Sequence, residues 1–257
     1  MEEKLSATAL LADLLNMAEA MLVSGSEITR VEDTITRMGL AYGASHMNVF
    51  VITSCIIVTM ATPDGQELTQ TRRVLVAGGT DFDKLERYND LSRRCCSSTV
   101  DAHHLGAEVK AISDARPSRW SMYLGSVLAS GGFAVFFGGS LIDGAVAALF
   151  AVLICLLQEK LLPLCMNQLA FNMICSLIVG GLTGICTRAL PILHLDKIMI
   201  GYIMLLIPGL AMTNAVRNIL VGNTISGIMR FTEALLWAAA LAIGFMIAMF
   251  LTGGAYV

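Results

Sequence analysis

Charge is what this sequence has least of. Only 14% of its 257 residues are Asp, Glu, Lys or Arg, against roughly 25% in an average globular chain. That shortage argues against an ordinary soluble enzyme and against disorder. The net charge is −3, so there is no basic excess to bind nucleic acid. Its seven cysteines are odd in number and contain no CxxC pair. They suggest neither a disulfide framework nor a zinc site. Four lie in or beside apolar runs, where Cys behaves as a small hydrophobe. The N-terminus lacks a basic region, and its apolar run is broken by Asp13, Asn16 and Glu19. It therefore reads as a helix and not as a signal peptide. No phosphate-binding glycine loop, HExxH or GxSxG occurs, so no cofactor and no catalytic residue is implied.

The charges that exist are unevenly placed. Residues 1–118 hold 11 basic and 16 acidic side chains, and residues 119–257 hold 6 and 4. The first part has a near-ordinary charge density. The second is as poor in charge as a membrane bundle.

In residues 1–115, Leu11, Leu14, Leu15, Ala18, Met21 and Leu22 recur at three and four. That spacing predicts an amphipathic helix over about Leu5–Val23. Ser24-Gly25-Ser26 breaks it, and Ser26 is expected to cap a second helix over Ile28–Ala41. Three β-rich runs follow, Met47–Thr53, Cys55–Ala61 and Glu67–Val76. The turn Thr62-Pro63-Asp64-Gly65 pairs the last two as a hairpin. Helices beginning at Thr80-Asp81 and running to about Ile112 complete an ααβββαα order, a small α+β domain. His103, His104 and Glu108 place a His and a carboxylate at i,i+4. Two side chains make a poor metal site, so a solvated helix face is expected and no metal is assigned.

Residues 116–257 read as a transmembrane domain with five apolar stretches, at about 120–138, 141–157, 169–187, 198–213 and 231–251. The expected fold is thus a small α+β cytoplasmic domain followed by an all-α five-helix transmembrane bundle. Lys110, Arg116, Arg119, Lys160, Arg217 and Arg230 outnumber Arg188 and Lys197 on the opposite side. The bias places the N-terminal domain in the cytoplasm and the C-terminus outside. Trp120 and Tyr123 suit the inner interface, and Tyr256 the outer one.

Small residues recur every four along the helices, as in Ser126, Ser130, Ala134 and Gly138. Asp143, Ala147, Ala151 and Cys155 do the same, as do Asn172, Ser176, Gly180, Gly184 and Arg188. Such stripes let helices approach closely. Asp143 and Arg188 are ionisable groups at membrane depth, expected either to pair with each other or to serve transport. The stretch from Pro208-Gly209 through Thr213, Asn214, Arg217 and Asn223 to Glu233 is too apolar for a loop and too polar for lipid. A helix broken at Pro208-Gly209 frees backbone groups that must line a cavity or be buried in protein. Transporters build substrate sites from such breaks. The alternative is an amphipathic helix lying on the membrane surface.

These motifs resemble the threonine/serine exporter family (ThrE-like), in its split YjjP-like branch. The resemblance rests on Gly25-x-Glu27-x-x-Arg30-Val31-Glu32, Asp81-Phe82-x-Lys84-Leu85 and Phe137-Gly138-Gly139 with Asp143. It rests most on Pro208-Gly209…Thr213-Asn214…Arg217…Gly222…Ser226-Gly227…Glu233-Ala234. It implies a multi-pass inner-membrane exporter of small polar carboxylates, threonine and serine or a dicarboxylate such as succinate. It also implies a separate small YjjB-like membrane subunit that completes the transporter as a homo- or hetero-oligomer. Asn218 and Asn223 stand where members often carry Asp, which shifts proton coupling toward Asp143 and Glu233. Asn172, Arg188, Thr213, Asn214, Arg217 and Asn223 are the expected substrate-binding residues. An ion gradient is the expected drive. The other reading is a membrane-anchored sensor or assembly protein whose soluble domain binds a ligand without transport.

Overall fold

The structure is a computed structural model. It describes residues 2–75, 79–97, 100–115 and 118–253, with side chains from residue 7 onward. Val76, Arg116 and Tyr256, named above as a strand end, an inner-side cation and an outer anchor, lie outside the described residues.

The architecture corrects the expected fold class. Among the described residues the chain has ten α-helices and is 72% helical, with one small three-stranded sheet. The N-terminal region is helical, with that sheet as a minor part, and is not a distinct small α+β domain. Nor do five helices qualify as spans. Three stretches among the described residues are long and apolar enough to cross a membrane: Leu141–Leu164, Gln168–Ala189 and Thr224–Thr252. By contacts the chain forms two compact units, residues 1–116 with 213–230, and residues 117–212 with 231–257.

In the first unit, α1 (Glu2–Val23) is the core helix. Leu11, Leu14, Leu15, Ala18, Met21 and Leu22 are all buried, as their spacing predicts. Met17 is fully buried as well, so more than one face of α1 is covered. It is packed by α2 (Ile28–Ala41), α3 (Phe82–Cys96) and α4 (Ala102–Asp114). The sheet is an antiparallel meander of β1 (His46–Ile52), β2 (Cys55–Ala61) and β3 (Glu67–Arg73). The expected β2–β3 hairpin pairs Ala61 with Glu67. Alternate residues Ile56, Val58 and Met60 of β2 enter the helical core. Three short strands bury too little to make a core of their own, which is why the helices dominate.

The α1–α2 turn needs Gly25. Its φ is +87°, and a Cβ there would sit 3.0 Å from Thr80 Cα. The N-cap of α2 is Glu27 and not Ser26, whose hydroxyl instead approaches the Glu27 carbonyl at 3.5 Å. α3 is capped by Asp81, which accepts from the Lys84 amide at 3.0 Å.

In the second unit, α5 (Arg119–Phe136) lies beside α6 (Leu141–Lys160). Arg119 approaches Glu159 at 3.8 Å, and Gly131 of α5 meets Gly144, in the first turn of α6, backbone to backbone. Arg119 and several Ser and Gly residues leave α5 less apolar than the three candidate spans. α7 (Gln168–Ala189) packs on the C-terminal part of α10 (Thr224–Thr252), with Gly180 against Phe245 and Gly184 against Thr252. The short α8 (Leu195–Ile203) seats Gly201 against α5, where a Cβ would lie 2.7 Å from the Ser130 carbonyl. Small-residue stripes therefore become close helix contacts. Leu128, Leu149, Met246 and Phe250 point outward, a surface suited to hydrocarbon.

The expected span at 198–213 is two short helices, α8 of nine residues and α9 (Gly209–Leu220) of twelve. Pro208 has no amide hydrogen to continue α8, so the chain turns at 204–208 and restarts.

Candidate functional site

In the second unit the best-defined polar cluster centres on Asp143, at the start of α6. Its carboxylate is fully buried, although it sits at a helix end. It closes a capping box with Ser140, accepting from the Ser140 amide and hydroxyl at 2.8 Å each. It also accepts from the His194 amide at 2.8 Å and contacts the His194 ring Nδ1 at 2.9 Å. A carboxylate near helix N-terminal amides is favoured by the helix dipole. Of the two alternatives left open for Asp143 and Arg188, their pairing with each other is not formed: His194, just before α8, takes that place. Its imidazole is 61% exposed while the carboxylate it meets is buried. Arg188 lies at the exposed end of α7, with its guanidinium near Gly253.

Asn172 is buried on α7, and its Oδ1 accepts from Gln168 Nε2 at 3.0 Å. One helical turn further in lies Ser176, also buried. Still deeper is a polar pair that sequence reasoning missed. Tyr202 and Thr183 are fully buried in the apolar core with their hydroxyls 3.1 Å apart. Thr183 donates to the Val179 carbonyl, so Tyr202 donates to Thr183. No sequence signal marked Tyr202, which lies in a short apolar run.

The segment that follows the helix break, residues 213–230, belongs with the first unit. α9 ends at a turn in which Gly222 has φ +93°, a conformation that favours glycine. α10 then packs back on α9 through Gly227, where a Cβ would lie 2.9 Å from the Ala215 carbonyl. Asn218 and Ser226 are buried in this helical hairpin. Thr213 is exposed and Asn214 half-buried on α9. Asn223 precedes α10, and its side-chain Nδ2 is buried without a hydrogen-bond partner. A buried donor left unpaired is unfavourable by roughly 1–3 kcal/mol. Arg217 Nη1 contacts Glu27 Oε1 at 2.5 Å, which ties α9 to the start of α2. Glu233, half-buried on α10, belongs to the second unit.

The expected site residues are thus divided. Thr213, Asn214, Arg217 and Asn223 lie in the first unit, and Asp143, Asn172, Arg188 and Glu233 in the second. Within the second, Asp143 is engaged by Ser140 and His194, and Asn172 by Gln168.

The first unit also holds a cleft of about 420 Å³ between α1 and α4, with Asn16, Glu19, Lys110 and Asp114 among its lining residues. Glu108 on α4 is paired with Arg94. Arg94 bonds both of its oxygens, at 3.4 and 3.0 Å, and holds its carboxyl below the usual carboxylate range. Among the described residues no group of three His, Cys, Asp or Glu side chains could hold a metal ion.

Comparison with known proteins gives one family and several relatives. The family described as putative threonine/serine exporter matches residues 14–252. A probable succinate transporter subunit of Klebsiella aerogenes, YjjP, is 26% identical over 235 residues, 91% of this chain and 90% of that protein. The probable succinate transporter subunit YjjP of Escherichia coli is 25% identical over 250 residues, 91% of each chain. A probable threonine/serine exporter of Mycobacterium tuberculosis is 23% identical over 239 residues, 91% of this chain and 45% of that protein. No solved structure matches.

Proposed function

Because the chain belongs to the threonine/serine exporter family, we propose that it is the subunit of a secondary exporter that moves small polar carboxylates out across the inner membrane. The observation that carries this reading is the α9–α10 turn that follows the helix break. It offers a buried, unpartnered amide donor on Asn223 and a guanidinium on Arg217 in one segment. A carboxylate satisfies both chemistries, because it accepts from an amide and pairs with a guanidinium. Thr213 and Asn214 on α9 would orient the rest of a hydroxylated or dicarboxylic cargo. Arg188 and Asn172 are second candidates, on α7.

An ion gradient is the proposed drive, with Asp143 and Glu233 as the coupling acids. Asp143 acts together with His194, whose ring Nδ1 lies 2.9 Å from its carboxylate. A separate YjjB-like membrane subunit is the proposed partner, in keeping with the word subunit in the names of two relatives. The basic residues Lys110, Arg119, Lys160, Arg217 and Arg230 support a cytoplasmic side for the N-terminal region.

The test is export from proteoliposomes containing this chain with and without the partner. Labelled threonine, serine and succinate are followed, each with and without a pH gradient. Flux of at least one supports the reading, and flux of none sinks it. The cleft between α1 and α4 favours one other reading, a membrane-anchored sensor or assembly protein. That reading predicts ligand binding by the full chain, lost on Lys110→Ala, with no flux under any gradient.

A further inference from the structure

Arg217 is already held by a carboxylate that belongs to the chain itself. Glu27 is the N-cap residue of α2, yet its side chain makes no capping bond to its own helix. N-cap side chains ordinarily satisfy the first free amides of the helix. This one is turned instead to Arg217, 190 residues away in sequence. Its position is built in. Gly25 makes the tight turn before it, Ile28 after it is buried, and the Asp81 amide bonds the Ser24 carbonyl at 3.0 Å. The contact is one-armed, from Nη1 to Oε1. Arginine binds carboxylates most strongly through a two-armed fork. Arg217 is 60% exposed, so a second carboxylate has access to it.

We propose that Glu27 is an internal counter-carboxylate that competes with the cargo's carboxylate for Arg217, and so sets how tightly cargo is held and how readily it leaves. This rests on the proposed role of Arg217 in cargo binding. It gives the N-terminal region a defined part in transport: each cargo that engages Arg217 displaces α2 from α9, and release restores the ion pair. Glu27 is thereby a specificity-determining residue. It sets a threshold that a monodentate or uncharged solute does not pass.

The test is equilibrium binding of labelled succinate and threonine to the purified full chain with its partner subunit. Wild type, Glu27→Gln, Glu27→Asp and Arg217→Gln are compared. Removing the competitor in Glu27→Gln tightens binding by about two- to five-fold, the range a partly exposed ion pair supports. Glu27→Asp, one methylene shorter, shifts binding in the same direction, which covers the case of a poorly folded Gln variant. Arg217→Gln weakens binding, and adding Glu27→Gln to it changes nothing further. Hydrogen exchange at the α2 N-terminus quickens when cargo is added to wild type but is already fast in Glu27→Gln. Unchanged or weaker binding in both Glu27 variants, in protein that melts as the wild type does and beside wild type that binds cargo, overturns the proposal and leaves the exporter reading standing. Absence of binding to every variant, wild type included, overturns the exporter reading itself.

Discussion

Asp143 is a buried carboxylate whose partners all come from groups next to helix ends. Asp143→Ala removes the capping acceptor for Ser140 and the anchor for His194 together. It is expected to lower stability by about 1–3 kcal/mol, read as a lower melting temperature in detergent. His194→Ala keeps the capping box and the backbone bond, so it destabilises less. Glu32 plays a comparable part in the first unit. Its Oε1 accepts from the buried Val51 amide at 3.0 Å, while burial pushes its carboxyl above the usual range. Glu32→Ala strands that amide and costs about 1–3 kcal/mol, whereas Glu32→Gln keeps the acceptor without the desolvated charge and is close to neutral. Chemical denaturation of the two variants separates these outcomes. At Glu108, the Arg94 bonds depress the folded carboxyl below its value of 4.5 in the unfolded chain. The pair therefore stabilises fully above that value, and its contribution is lost as pH falls through the lower folded value. Glu108→Gln removes this part of the acid-side loss, measured as a shallower fall of melting temperature between pH ~6 and ~3. The sequence placed Asp143 among the residues of interest by depth and charge. It could not supply His194, because the pairing spans 51 residues and depends on a loop returning to the α6 start.

At the scale of the element, glycine positions decide which helices approach. Gly201→Ala drives a Cβ to 2.7 Å from the Ser130 carbonyl, a backbone atom that has little room to move. A loss of about 1–3 kcal/mol is expected. Gly181→Ala on α7 meets nothing within 4 Å and is expected to be neutral or mildly stabilising. Melting temperatures of the two variants side by side test whether the small-residue stripes act through contact. The elements themselves were largely legible. The α2 helix and the β2 strand begin and end where Gly25, Gly43 and the Pro63–Gly65 turn require. The α8–α9 region was not read in full. Pro208 announced a break, but the apolar run around it has the composition of a span, and composition does not report that each piece is too short to cross.

For the whole molecule, the uneven charge marked where polar and apolar regions lie, but not how the chain returns on itself. Residues 213–230 belong by contacts with the N-terminal region. Tertiary pairing such as Arg217 with Glu27 brings them there, and it leaves no periodic trace in sequence. The same pairing explains why the N-terminal region is not a free-standing α+β domain. Part of its unit is supplied by residues 213–230, so that segment and the N-terminal helices form one compact unit. The central claim is that a cargo carboxylate is recognised at Arg217 and Asn223, by the α9–α10 turn. The most direct measurement is counterflow of labelled cargo into proteoliposomes, comparing wild type with Arg217→Gln and Asn223→Ala at matched protein content. Both variants are expected to lose at least about ten-fold in rate, as for removal of a charged or buried hydrogen-bond partner worth about 1.4 kcal/mol or more, while remaining folded. Wild-type counterflow preserved in both variants would contradict the account.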